Sequence, residues 1–139
     1  QLAKSSTVNV NMLQSIFLRN IGNHSFSVIP LPNDAQVSAI NGIVVADLDK
    51  DGNKDVITSG NLYPFRVQIG PLDASLGLVL KGNGKGNFSP MVYDATGLFI
   101  DGDVRNMISV KSKNGFLLIA AKNNGSVQVV QYPDSGALP

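Results

Sequence analysis

The chain has 139 residues, with 11 Lys and Arg set against 10 acidic residues, all of them aspartate, and a formal net charge of +1. The basic residues are scattered singly, which argues against a nucleic-acid surface. No apolar stretch approaches the ~18 residues of a membrane-spanning helix, and the absence of cysteine excludes disulfides and thiolate metal sites. With no glutamate and a single histidine, His24, most general acid–base and nucleophilic arrangements are also removed.

Taken in chain order, the apolar runs are short, rich in β-branched residues and broken by Gly, Asn and Asp, a pattern of strands and tight turns without helical periodicity. Strands are predicted near 15–20 and 25–30, joined at Gly22-Asn23-His24-Ser25-Phe26, where glycine and asparagine supply positive φ and Phe26 turns inward. His24 therefore reads as an exposed turn residue, not as a base or a ligand.

The next two strands, near 42–46 and 55–59, flank the most informative segment, Asp47-Leu48-Asp49-Lys50-Asp51-Gly52-Asn53-Lys54-Asp55. Its carboxylates stand at loop positions 1, 3, 5 and 9, Gly52 permits a sharp turn at position 6, and Asn53 at position 7 offers a backbone carbonyl. This is the spacing of a calcium loop. The helix-loop-helix version also needs Glu at position 12, where Thr58 stands, and its flanks would be long helices rather than Ile43–Ala46 and Val56–Thr58. The alternative is an acidic turn without an ion, in which four neighbouring carboxylates would repel and raise one another's pKa.

Further strands are predicted near 65–69, 77–82 and 87–92, the last two joined by a Gly84-Lys85-Gly86-Asn87-Phe88 turn that again delivers a phenylalanine inward. Between them, Asp73 and Ser75 read as turn caps that bond backbone amides. Asp101-Gly102-Asp103-Val104-Arg105 reads as a turn with a local Asp103–Arg105 pair. The final strands are expected near 104–110, 116–121 and 126–131, with Asn114-Gly115 as a turn dipeptide.

Sliding the chain by 62 residues pairs Leu18 with Leu80, Gly22 with Gly84, Phe26-Ser27 with Phe88-Ser89, Ile57 with Ile119, Asn61 with Asn123 and Val67 with Val129, without a gap. Such a period predicts stacked supersecondary units. Residues 14–75 form one unit with the calcium loop, 76–137 a second, and 1–13 the tail of a preceding one. Opposite Asp47, Asp49, Asp51 and Asp55 the second unit places Ser109, Lys111, Lys113 and Leu117, so it is expected to hold no metal, with both lysines turned to solvent.

The loop between two strands, together with Gly60-Asn61-Leu62-Tyr63, Gln68 to Gly77 and Gly82 to Phe88, resembles the FG-GAP or VCBS-type repeat of integrin-like β-propellers, as found in the C-terminal repeats of bacterial secreted ASPIC/UnbV-associated proteins. The resemblance implies an all-β chain of two tandem β-propeller-type blades, a fragment of a larger propeller, since about four to eight blades close a ring. It implies one Ca2+ held by the side chains of Asp47, Asp49, Asp51 and Asp55 and the main-chain oxygen of Asn53. It further implies a non-catalytic module of an exported bacterial protein that binds a protein or glycan, with purely architectural blades as the alternative and part of a glycan-processing enzyme as a weaker one. Two blades leave open edges, so the chain is expected either to self-associate or to lay residues 1 to 13 across the exposed face.

Overall fold

The computed structural model describes residues 6–65 and 67–133. The fold is all-β, with three antiparallel sheets, none closed on itself. Strands β1 (Ile16–Gly22) and β2 (Ser25–Pro30) form a hairpin. Asn23 and His24 both take positive φ at its tip, 50° and 56°, the twist that a two-residue turn needs to match right-handed strands. After a 3-10 turn at Asn33–Gln36, β3 (Gly42–Ala46), β4 (Asp55–Ser59), β5 (Leu78–Gly82) and β6 (Phe88–Met91) make a four-stranded meander in chain order. One helical turn, α1 (Tyr93–Thr96), leads to the third sheet, β7 (Val104–Ser112), β8 (Gly115–Lys122) and β9 (Gln128–Pro133).

Period-two alternation decides which residues meet. Val44, Ile57 and Val79 lie side by side across β3, β4 and β5, and all three are buried with Met107, Leu118, Ala120 and Tyr132 of the third sheet. The two sheets approach closely at Gly42. A side chain there would begin 2.7 Å from Met107 Cβ, so only glycine lets β3 and β7 pack this tightly. Leu98, Ile100 and Val104 fill the remaining core from the segment that enters β7. On the other side of the meander, Phe17 of β1 meets Phe88 of β6 edge to face, with centroids 5.3 Å apart. Between these two sheets lies an apolar cavity of about 580 Å³ whose walls include Ile43, Val45, Val56 and Leu80.

A buried asparagine ties the connections together. Asn61, 1 % exposed, accepts from Ser38 Oγ and the Ser75 amide and donates to the Ser75 and Gly102 carbonyls. Asn41 Nδ2 adds bonds to the Asn61 and Val104 carbonyls.

The structure departs from the sequence-based expectations at several points. Among the described residues no strand forms near 65–69: Val67 to Ile69 make a turn inside the long β4–β5 connection, which a Leu62–Leu72 bridge and the Asn61–Ser75 bonds brace. Phe26 points outward and is 57 % exposed, because it alternates with half-buried Ser27 and Ile29 on the other face. The β7–β8 turn is centred on Lys113 and Asn114, and Gly115 already begins β8. Residues 6–13 are all exposed, so they do not cover the open face; residues 1–5 lie outside the described residues.

Candidate metal centre

The acidic loop spans the gap between Ala46 and Asp55, which are paired at the ends of β3 and β4. Its fold follows from short side chains bonding nearby backbone. Asp49 accepts from the Asp51 amide at 3.2 Å, Asp51 from the Asn53 amide at 2.8 Å, and Asp47 Oδ2 from the Gly52 amide at 3.1 Å. Lys50 and Gly52 take positive φ, 59° and 86°, which reverses the chain. Leu48, 6 % exposed, points the other way and anchors the loop in the core.

Asp55 fastens the loop to the sheet. It is 2 % exposed, and its two oxygens accept from the Leu48 and Gly82 amides, each at 2.9 Å. Gly82 is required here, since a Cβ would stand 2.0 Å from the Lys54 carbonyl oxygen. The end of β5 is thereby pressed onto the loop.

Asp47, Asp49 and Asp55 come together, each offering a carboxylate oxygen within 4.8 Å of the others, and this cluster could hold a metal ion. Asp51 stands outside that group. Its Oδ1 is used by Asn53, and the Asn53 amide holds its carboxyl below the ordinary value, with Lys81 adding to the effect. Asn53 is half-buried, and its side-chain oxygen occupies the space that Gly84 leaves by lacking a Cβ. The donors are all oxygens, a set that suits hard cations and offers nothing to soft ones.

One atom tests the fit. Asp47 Oδ1 is buried and has no hydrogen-bond partner. A buried carboxylate oxygen without a partner carries a large desolvation cost, and a cation in the cluster is the group that would satisfy it.

The sequence gives little notice of Lys81, yet its ammonium bonds Asp49 Oδ2 and lies 3.5 Å from Asp51 Oδ2. Its signal is a lone charge at the end of the apolar run Leu78-Val79-Leu80. Asn61 was likewise visible only as a member of the repeat; its polar network depends on contacts 14 to 41 residues away.

The remaining candidates resolve into structural roles. The β7–β8 connection is a two-residue turn, with Ser109 and Leu117 in the strands and Lys111 and Lys113 exposed. Asp103 pairs with Arg105 at 2.8 Å, as the sequence suggests, and also accepts from Asn123 at 3.0 Å. Asp101 bonds Lys122, whose ammonium lowers its pKa. Ser75 Oγ accepts from the Gly77 amide at 3.2 Å, as a turn cap should. Asp73 is exposed, and its side chain makes no such bond among the described residues. His24 is exposed at its turn.

Comparison with known proteins returns no matching family model, no matching curated protein and no matching solved structure. No helix among the described residues is long and apolar enough to cross a membrane.

Proposed function

We propose that this chain is a calcium-stabilised, non-catalytic repeat module of the FG-GAP or VCBS type, two β-propeller-type blades of a larger exported bacterial protein. The observation that carries the reading is Asp47 Oδ1, buried and unpartnered beside Asp49 and Asp55 on an inter-strand loop. Asp47, Asp49 and Asp55 would hold the ion, with Asp51 reaching in from the rim and Asn53 contributing its main-chain oxygen. The bound ion would cross-link the β3–β4 loop and, through the Asp55–Gly82 bond, fix it against β5. Face-to-face packing of the meander on the β7–β9 sheet supports the blade reading. Export suits a weak site, since extracellular modules bind calcium at about 10⁻⁴ to 10⁻³ M.

Thermal unfolding in EDTA and then in excess CaCl2 tests the assignment. Binding to the native state alone adds about 2.7 kcal/mol at one hundred times Kd, a shift of several degrees for a domain of this size. An Asp49→Ala variant is expected to lose that shift. Identical midpoints in EDTA and calcium would discard the assignment.

The module's task is to present a surface to a protein or glycan. Tyr63 and Tyr93 are 42 % and 56 % exposed, and Tyr93 stacks edge to face on Phe99, the kind of amphipathic side chain that anchors interfaces. Tyr63→Ala with Tyr93→Ala should abolish capture of a glycan or protein partner if these rings bind it directly. Retained capture would favour the architectural reading, in which the loop's ties to β5 are its whole purpose. A glycan-processing role has least support, because the only histidine sits in a surface turn.

A further inference from the structure

Lys81 of β5 reaches into the acidic loop with its side chain. Its backbone is fixed by pairing with Ser89 of β6, and the next residue, Gly82, is bonded to Asp55. The strand therefore delivers an ammonium to the edge of the carboxylate cluster on a flexible, 44 % exposed side chain that can swing away. It contacts Asp49 Oδ2 directly and Asp51 Oδ2 at 3.5 Å, with the carboxylates 18 % and 31 % exposed. A lysine ammonium is charged at neutral pH.

Asp49 thus has two suitors. In the calcium reading it is a metal ligand, and in the absence of metal it is the partner of Lys81. An ammonium resting on a ligand oxygen neutralises part of the charge that would otherwise drive the loop apart, but a divalent ion entering the cluster meets a positive charge already in place.

We propose that Lys81 is a tethered counter-ion of the candidate calcium site: it holds the loop in its binding shape without metal, and it sets the affinity by yielding Asp49 when a divalent cation enters. This rests on the calcium reading above. A monovalent ion would replace one positive charge by another at no gain, whereas a divalent ion gains one. Lys81 accordingly weakens divalent binding while favouring divalent over monovalent ions.

The test titrates CaCl2 calorimetrically into the parent chain, Lys81→Met and Lys81→Arg, and melts each in EDTA and in calcium. Lys81→Met is expected to bind calcium at least about tenfold more tightly, the lower, water-screened end of what removing a unit charge a few ångströms from a divalent ion gives. Its midpoint in EDTA should fall while its midpoint in calcium does not, and Lys81→Arg should stay close to the parent. A purely structural lysine would instead lower both midpoints together and leave the affinity unchanged, which overturns the proposal. On the parent chain, an amine-reactive reagent should modify Lys81 faster, by peptide mapping, when CaCl2 is added; an unchanged rate in a chain that binds calcium also overturns it. If neither parent nor variant binds, the calcium reading itself fails and takes this inference with it.

Discussion

At the residue scale, the acidic loop is held by local bonds that short side chains can make only to nearby amides. That is why its ligand spacing is legible in a bare sequence. Asp47 gives the sharpest test of what the loop is for. If the cluster holds an ion, Asp47→Asn removes one charged ligand and should erase most of the calcium-induced rise in midpoint, while leaving the EDTA midpoint equal or slightly higher because repulsion is relieved. A calcium shift that survives Asp47→Asn intact would show that the ion binds elsewhere. Asn61 makes an independent prediction. Truncation to alanine takes the side-chain partner from the Ser75 amide and carbonyl, while Ser38 Oγ keeps the Gly60 carbonyl and the Gly102 carbonyl keeps the Val104 amide, at about 2 kcal/mol by urea unfolding, without altering calcium affinity. Asp101 supplies the pH dependence. Its folded pKa is lowered by Lys122, so its small contribution is present above the ordinary carboxylate value and is lost as pH falls through the folded value. Carboxyl NMR titration should find the Asp101 midpoint returning upward in Lys122→Met. What the sequence could not reveal at this scale is long-range partnership: Lys81 meets Asp49 across 32 residues, and no local pattern encodes that.

At the element scale, nine strands fall close to their predicted places because β-branched runs and Gly or Asn turns are local signals. The failure near 65–69 is physical. Phe65, Val67 and Ile69 alternate with Arg66 and Gln68, which suits a strand with one wet face. The slot beside β4 is dry on both faces, since Val79 and Leu80 are 1 % and 0 % exposed, and Leu78-Val79-Leu80 takes it instead. Beside β8 the corresponding slot has one open face, and there the alternating run Gln128-Val129-Val130-Gln131-Tyr132 is accepted. The gapless shift of 62 residues also meets a limit. Ile57 faces the core, but Ile119 shares an outward face with Ile108 and Val129, and the core positions of β8 are Leu118 and Ala120. A β-bulge between Val104 and Asn106 shifts the alternation of β7 by one, so that Val104 and Met107, three residues apart, both face the core and the pairing of β8 follows. The contact between β5 and the loop yields an element-scale prediction. Gly82→Ala would drive a Cβ to 2.0 Å from the Lys54 carbonyl, so the strand must move, costing about 2 kcal/mol and weakening calcium binding together. Unchanged urea midpoint and affinity would show that the β5–loop contact is slack.

At the scale of the whole molecule, the packing of the three sheets leaves apolar residues open at the cavity beside the hairpin and on the outer face of the third sheet. The meander's face toward the β1–β2 hairpin carries Ile43 and Val45, each 58 % exposed where they line the cavity, and the outer face of the third sheet carries Ile108, Val110 and Val129 at 51 %, 42 % and 54 %. The interior junction shows what such faces do when covered: β3 and β7 approach until Gly42 touches Met107. The edge strand β9 adds an uncharged row from Gln128 to Tyr132 with one side unpaired, and edges of this kind recruit further strands unless charged or covered. Since residues 6–13 are exposed and cover neither face, the occupant expected for the outer face of the third sheet in a solution of this chain alone is a second copy. Light scattering should therefore give a mass that rises with concentration. Ile108→Lys with Val129→Lys places two charges on that face without emptying the core, so it should return the mass toward one chain while the urea midpoint stays within about 0.5 kcal/mol of the parent. A parent chain that remains monomeric across the series would mean that these faces are tolerated in water, and the expectation of stacking neighbours would lose its physical basis.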